Sequence, residues 1–551
     1  MLNIMQSLAR LDHLRHHTPA FSPNVILALD EAKQINLAAE SELDRLKLMT
    51  VLHCDAEGKP DYSMPELLSL LRKISQCDLA LNLGYILTTF MAVTNIWVAG
   101  SAQQRQRCNQ LLTAGKKIAI AYHELEHGND FAANELTATK VEGGYLLQGR
   151  KEVVNNIHRA GAMMLQARTD DNNAMRNFSL FFIEMDQLAE ENYRLLPRLA
   201  TQGVRSCQIA GIEFDDCFIP ARCLLGQAGH GIRDALKAFQ ITRALLPGIS
   251  LGNINQALGI TYRYCLQRHL YGDNLLAIPH VSDLLSTCIL EYLLSDNLSH
   301  LAARSLHTQT ATMSVLSALC KAHIPLRMRA VLKKLAVILG SRYFLREGEA
   351  ALFEKMMRDY PVVSLGHASS LTCQASLLPQ LPMIFKKFIT PPADLPTQLA
   401  ALFSEEALPL FAPTRLALSV SGQDLLFNSI HYWPQHISQL AESSAISEQQ
   451  HQQLQDRLSH LHHRCLQLST SELKTNLPTA FDAVTEFAWC QTAMATLGRW
   501  CFDANSPFAG NVEYLQLCLD FILAQWDQDQ FHPDPHQITL LIDYLQTLSD
   551  Q

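Results

Sequence analysis

The apolar residues of this chain change period twice, and that double switch constrains the fold more than any single motif. From Leu27 to Leu112 they recur at helical spacing, as in Leu67-Leu68-Leu70-Leu71-Ile74 and Leu79-Leu81-Leu83-Ile86-Leu87, the interval that lays a stripe along one helix face. At Lys116 short apolar runs between turn residues take over: Ile118-Ala119-Ile120-Ala121-Tyr122, then Ala138-Thr139-Lys140-Val141, then Gly143-Gly144 ahead of Tyr145-Leu146-Leu147-Gln148-Gly149. Such runs are strands joined by tight turns, and Ser179 to Ile183 and Ile212 to Phe214 add two more. After Gly229-His230-Gly231 the helical period returns through Phe239 to Gly259, Val281 to Ser305, Met313 to Leu339 and Glu347 to Met357, long helices of the kind that form a bundle. Pro391-Pro392 and Pro396 mark a linker, beyond which Ile446 to Leu468, Thr479 to Phe502, Val512 to Trp526 and His536 to Leu548 read as further helices.

A chain of 551 residues is too long for one core. The switches divide it into a helical domain over 1–115, a small β-domain over 116–228, a helix bundle over 229–390 and a helical extension over 397–551; no internal repeat is visible. The fold class is mainly α with a small β-domain. The net charge of -9 lies in the extension, where five Lys and Arg after Leu395 face seventeen Asp and Glu, a balance that disfavours nucleic acid and anionic membranes. Met1 to Arg10 carries no basic run leading into an apolar stretch, and no window reaches the roughly 18 uninterrupted apolar residues of a membrane span, so no transmembrane segment and a cytoplasmic location are expected. The fourteen cysteines include no C-x-x-C pair, which points to reduced thiols, mostly in cores.

Five strings, in order, give these domains a family likeness. Gly115 to Asp130 resembles a strand and loop ending in Thr-Glu-Pro-x-x-Gly-Ser-Asp, with Glu124, Gly128 and Asp130 kept and His123, Leu125 and Asn129 departing from it. Gly144 to Lys151 resembles Gly-Tyr-x-Leu-Asn-Gly-x-Lys, and Phe218 to Gly226 the strand that leaves a β-domain. Arg243, then Leu251-Gly252 through Tyr264 to Gln267-Arg268-His269-Leu270-Tyr271-Gly272, resembles a helix ending in Arg-x-x-Phe-Gly; Arg358-Asp359-Tyr360-Pro361 completes the series. Over Leu27 to Leu381 the chain resembles the acyl-CoA dehydrogenase family, with a helical domain, a β-barrel-like domain and a helix bundle. Its C-terminal helical extension resembles the addition found in long-chain members and acyl-CoA oxidases.

The resemblance implies an enzyme that binds FAD, accepts an acyl thioester (acyl-CoA or acyl-carrier), and removes hydrogen from its α and β carbons. That chemistry asks for a base at the α-carbon and donors for the enolate-like oxygen. The family's base is the Glu of Tyr-Glu-Gly-Thr; the matching position is His367, within Gly366-His367-Ala368-Ser369. A second carboxylate position used by some members is Thr242 here. An imidazole with an ordinary pKa near 6.5 is one replacement base. Tyr122, His123, Asn129, Asn155, Arg268 and Ser369 are the implied FAD contacts, and Arg243 the implied substrate contact. The flavin-edge Trp-Ile-Thr-Asn has become Val153-Val154-Asn155-Asn156, and the glutamine and glycine nearest a partner's FAD appear as Val337 and Gly340-Ser341. An electron-transfer flavoprotein as electron acceptor and a homo-oligomer are implied as well; oxygen as acceptor, in an oxidase or hydroxylase, and a non-catalytic binding or assembly protein on the same fold are the alternatives.

Plainer readings stand beside these. Glu124 and Asp130 also suit a turn and a strand end, Gly128 a turn that needs φ > 0, Arg243 an ion pair supporting the 366–369 loop, Arg268 an ordinary helix-end cation, and Arg358 with Asp359 a bundle salt bridge. His460, His462 and His463, like His13, His16 and His17, read as polar helix faces rather than metal ligands. The stripe of Phe487, Cys490, Met494, Leu497 and Cys501 with Trp489 and Trp500 needs a partner surface in this subunit or another.

Overall fold

The computed structural model describes residues 4–170, 176–366, 368–388, 394–404, 407–471, 473, 477–506 and 508–549. They form two compact units, one of Met1–Asn253, Phe344–Ser369 and Leu410–Leu418, the other of Ile254–Tyr343, Ser370–Pro409 and Ser419–Gln551.

The first unit opens with helices Ile4–His17, Pro23–Ala32, Leu37–Arg45, Met64–Cys77, Leu79–Asn82, Thr88–Ala99 and Ala102–Thr113. Met64–Cys77 starts at a capping box, in which Ser63 Oγ accepts from Glu66 N and the Glu66 carboxylate accepts from Ser63 N, so two otherwise orphaned N–H groups are satisfied. Its stripe of Leu67, Leu68, Leu70, Leu71 and Ile74 is buried. Between Asn82 and Thr88 the chain makes a π turn, Leu83–Leu87, which takes carbonyls out of the regular helical ladder. Two of them are recaptured from the β-domain: Leu83 O accepts from Asn155 Nδ2 at 3.2 Å, and Gly84 O accepts from Asn156 Nδ2 at 2.7 Å and from Arg159 at 3.1 Å. Leu79–Ala99 is long and apolar enough to cross a membrane, and 94% of its apolar window is buried inside the protein.

Strands β1 (Lys117–Ala121), β2 (Thr137–Val141), β3 (Gly144–Asn155), β4 (Ala160–Arg168), β5 (Phe178–Glu184), β6 (Tyr193–Leu195), β7 (Ile209–Pro220) and β8 (Leu224–Leu225) form one eight-stranded sheet in the order β6-β7-β3-β2-β4-β5-β8, with β1 parallel to β4. Its core holds Leu147, Val154, Met163, Leu165, Phe181, Ile212, Phe214 and Ile219. The expected strands are present; β4 and β6 were not foreseen, and β3 and β7 run longer than the apolar runs that announced them.

In the second unit Pro279–Thr308 and Met313–Leu339 pack on one another, and Ser370–Leu377 packs on the latter. The extension supplies Glu448–Thr470, Thr479–Phe502, Val512–Asp527 and Pro535–Ser549, with shorter helices Leu395–Phe403, Leu425–Asn428 and Trp433–Glu442. The aromatic stripe of Thr479–Phe502 finds its partner within this chain: Trp489 meets the His323 ring at 5.1 Å and the Arg327 guanidinium at 4.7 Å. Gly498 lets Phe403 close in, since a Cβ there would lie 2.2 Å from its ring. Among the described residues no cluster of three metal-ligating side chains occurs. His460 is exposed and 3.1 Å from Asp527.

Candidate active site

Within the first unit an aromatic cluster gathers several of the singled-out residues. β1 ends at Ala121 and delivers Tyr122 into the interior, where its hydroxyl donates to Asn95 Oδ1 at 2.9 Å and its carbonyl accepts from Asn134 Nδ2 at 2.8 Å. Burial raises the Tyr122 phenol well above its ordinary range. The next residue, His123, meets the ring of Phe131 at 5.3 Å. Phe131 in turn meets Tyr122 at 6.2 Å and Phe239 at 5.8 Å. Arg243 lies one helical turn beyond Phe239 with its guanidinium 5.2 Å from that ring, a cation-π placement. Arg243 is 7% exposed, and its Nε is buried with no hydrogen-bond partner among the described residues.

The electrostatics of this cluster come from one buried pair. Lys151 Nζ lies 2.7 Å from Glu124 Oε1, both side chains nearly inaccessible, and Glu124 also accepts from Glu135 N at 2.8 Å and Leu136 N at 3.1 Å. Burial works against the charge on Glu124, yet Lys151 and the two N–H groups hold its carboxyl below the usual range. Burial lowers Lys151 to about 8 against the pull of Glu124. His123 falls to about 4, from burial first and Lys151 second, with a hydrogen bond to Asn129 acting the other way. At neutral pH its ring is therefore uncharged. Glu124 serves the turn and strand, by ion pair and backbone hydrogen bonds.

Asn155 is held at the π turn, its Nδ2 donating to Leu83 O and to Thr88 Oγ1 at 2.9 Å, while its Oδ1 is buried without a partner among the described residues. Thr242 is fully buried and its hydroxyl donates to Phe239 O at 3.2 Å. Ser369 is half-buried after Ala368, which has φ 66°. His367 lies outside the described residues. Arg268 belongs to the second unit, exposed just past helix Gly231–Gln267, where its carbonyl accepts from Leu275 N at 3.0 Å.

The segment that leads into the 366–369 loop is fixed by charge. Lys355 Nζ sits 2.6 Å from both Asp78 Oδ1 and Asp359 Oδ2, all three buried, and Asp359 Oδ1 accepts from Val204 N at 2.6 Å. Burial opposes the Lys355 charge, but the two carboxylates raise its pKa above the ordinary lysine value. Arg358 pairs with Glu354 and, at 2.9 Å, with Asp30. Gly203 lies so close to the helix Gly348–Asp359, which carries Lys355, Arg358 and Asp359, that a Cβ would come 2.0 Å from Arg358 O. These contacts make Arg358 and Asp359 positioning residues for the helix.

Sequence reasoning missed Phe131, Phe239 and Asn95. Phe239 had a usable signal, four residues before Arg243 and so on the same helix face; Phe131 and Asn95 had none.

A helical domain, an eight-stranded sheet and a helix bundle, in that chain order, define the acyl-CoA dehydrogenase fold. A solved butyryl-CoA dehydrogenase from Megasphaera elsdenii superposes with a TM-score of 0.61 at 19% identity, covering 69% of this chain and 99% of that one. The structure of the prolyl acyl carrier protein oxidase AnaB gives 0.61 at 17% identity, covering 67% and 96%. Residues 119–217 match the acyl-CoA dehydrogenase middle domain and residues 229–367 the acyl-CoA dehydrogenase C-terminal domain, so these two regions are acyl-CoA dehydrogenase domains. It is 26% identical over 203 residues to the mitochondrial isovaleryl-CoA dehydrogenase of Solanum tuberosum, 37% of this chain and 48% of that protein. The chain spans about half the length of the curated relatives it matches.

Proposed function

We propose that the chain is an FAD-dependent oxidoreductase that takes hydrogen from the α and β carbons of an acyl thioester, with His367 in place of the family's glutamate base. The observation that carries this reading is the pair of family-domain matches over 119–217 and 229–367. Two buried atoms of the first unit, Asn155 Oδ1 and Arg243 Nε, have no partner among the described residues, and they suit a ligand that brings both donors and acceptors. Tyr122, His123, Asn129, Asn155 and Ser369, all of the first unit, would hold FAD, which supplies the two-electron acceptor. Arg243 would orient the thioester end, and His367 would remove the α-proton. An electron-transfer flavoprotein receives the electrons, and the protein works as a homo-oligomer.

The test is an anaerobic spectrum of the purified protein with acyl-CoAs of several lengths. A yellow protein that bleaches, and a His367→Ala variant that bleaches at least about 100-fold more slowly, are expected. Unchanged bleaching in His367→Ala removes His367 from the base role. Rapid oxygen uptake in place of electron-transfer flavoprotein reduction makes the protein an oxidase. The second reading, a non-catalytic binding protein, is favoured by the Asn155 amide being spent on Leu83 and Thr88 and by Thr242 being closed onto its own helix. A colourless protein that cannot be reconstituted with FAD selects it.

A further inference from the structure

Of the fourteen cysteines, thirteen are buried and Cys501 alone is partly exposed. It ends helix Thr479–Phe502 in the second unit, and its Sγ lies 2.9 Å from His436 Nε2. The other ring nitrogen, Nδ1, lies 2.8 Å from the Tyr432 hydroxyl, one turn back along the chain. Both contacts are satisfied in one tautomer: Nδ1–H donates to Tyr432, and the Nε2 lone pair accepts the Cys501 thiol proton. Nucleophile, base and orienting group thus stand in hydrogen-bond sequence, and all three side chains are partly exposed.

The surroundings decide what such a thiol can attack. His436 is stacked on Tyr432 at 5.1 Å and flanked by Phe502 at 5.9 Å and Trp433 at 6.2 Å, with Phe403 stacked on Phe502 at 6.4 Å. Gln439 is the further hydrogen-bonding side chain at His436, and among the described residues no charged group pairs with the imidazole. Burial pushes the Cys501 thiol up to about 12 and lowers His436, so the resting pair at neutrality is thiol and neutral imidazole. A thiol in that state reacts only as its proton leaves, which makes the base essential. An apolar, aromatic, uncharged setting suits a neutral electrophile carrying a hydrocarbon chain rather than a phosphate or carboxylate.

We propose that Cys501 and His436 form a second, nucleophilic site in the extension that accepts an acyl group from a neutral thioester, with Tyr432 as the positioning residue of the imidazole. His436 Nε2 takes the thiol proton as Cys501 Sγ bonds to the thioester carbonyl carbon. The carbon–sulfur bond to the carrier breaks, and the leaving thiolate takes the proton back from His436. Nothing is oxidised or reduced, and the step is independent of the redox reaction proposed above.

The full chain is incubated with hexanoyl-N-acetylcysteamine, a thioester without a nucleotide, and followed by intact mass and peptide mapping. The expected product is a single acyl increment on Cys501, released by hydroxylamine and absent in Cys501→Ser. His436→Gln slows acylation about 100-fold. Tyr432→Phe slows it a few-fold and moves the inflection of the pH–rate profile downward, because the hydroxyl no longer stabilises the protonated ring; a merely structural tyrosine leaves that inflection in place. No acylation, acylation first at another cysteine such as the buried Cys465 or Cys490, or an unchanged rate in His436→Gln overturns the proposal. Should His436→Gln not fold, Tyr432→Phe decides: a downward shift of the pH–rate inflection for acylation of Cys501 supports the site, and an unmoved inflection refutes it.

Discussion

Each compact unit contains a buried cation shared by two carboxylates, and the two are built alike. In the first, Lys355 lies between Asp359, four residues on, and Asp78; in the second, Arg499 lies between Asp503, four residues on, and Asp296 at 2.6 Å. They differ in what surrounds the cation. Lys355 is enclosed by its two acids, one of which also receives Val204 N, and the helix it fixes leads into the 366–369 loop. Arg499 has a wider circle: its Nη1 donates to Asn297 Oδ1 at 3.1 Å, and His300 Nε2 stands 3.9 Å from Asp503. The ammonium of Lys355 is a point charge with no substitute at hand, whereas the planar guanidinium of Arg499 divides its load among several groups. The first network positions a candidate catalytic segment, and the second fastens the extension to a bundle helix.

The largest effect is expected from Lys355→Met. It leaves two buried carboxylates facing each other without a cation, a loss of about 3–5 kcal/mol, read as a drop in the urea midpoint at pH 7. If flavin is bound, its occupancy falls as well, because the helix before the loop is released. Arg499→Met is expected to cost about 2–3 kcal/mol, less because His300 can take up a proton in its place. Burial first and Arg499 second hold His300 down at about 4. Removing Arg499 therefore raises that value toward the ordinary 6.5, and NMR titration of the His300 ring reads the change. A His300 that stays near 4 in Arg499→Met would break the distinction between the two networks.

The next effect is a pH dependence common to both units. His123 in the first and His300 and His323 in the second are each lowered to about 4, chiefly by burial. Their folded values lie below the unfolded 6.5, so the stability they contribute is complete above pH 6.5 and is lost as pH falls toward 4. Thermal midpoints measured between pH 7 and 4 should fall accordingly. His123→Gln and His323→Gln should each flatten a comparable part of that fall, since both rings are lowered to about 4. An unchanged fall in either variant would remove that histidine from the pH dependence.

What could be read in advance follows from how far apart the interacting residues are. Helix period is local, so the long helices of the bundle and extension were legible to within a few residues, except the first, where Phe239 to Gly259 is only the middle of Gly231–Gln267. β4 was not: Ala160–Arg168 has neither alternation nor β-branched residues, because its centre is buried on both faces between β1 and β5. β7 was only half visible, since the exposed Asp215-Asp216 pair interrupts its apolar run. The same distance rule governs the site. Lys355 and Asp359 are a visible i,i+4 pair, but Asp78 comes from 277 residues away, and no spacing announces it. Tyr122 and His123 were found through a motif, whereas their neighbours Phe131 and Asn95 arrive by packing alone.

The smallest effects set two asparagines against each other. Asn297, in the second unit, uses both ends of its amide: Oδ1 accepts from Arg499 and Nδ2 donates to Thr496 Oγ1 at 3.2 Å. Asn155, in the first, donates through Nδ2 and keeps a buried Oδ1 without a partner among the described residues. Asn297→Ala removes a charge-assisted bond and is expected to cost about 2 kcal/mol; Asn155→Ala removes neutral bonds at the π turn and is expected to cost about 1 kcal/mol. The order reverses when cofactor content is measured. If Oδ1 is held open for a flavin, Asn155→Ala lowers the flavin-to-protein ratio while Asn297→Ala leaves it unchanged. A polar atom buried without a partner lowers stability, and a ligand that donates to it would offset that cost. Asn155→Ala with full flavin content would make that orphaned oxygen a tolerated defect and remove Asn155 from the cofactor site.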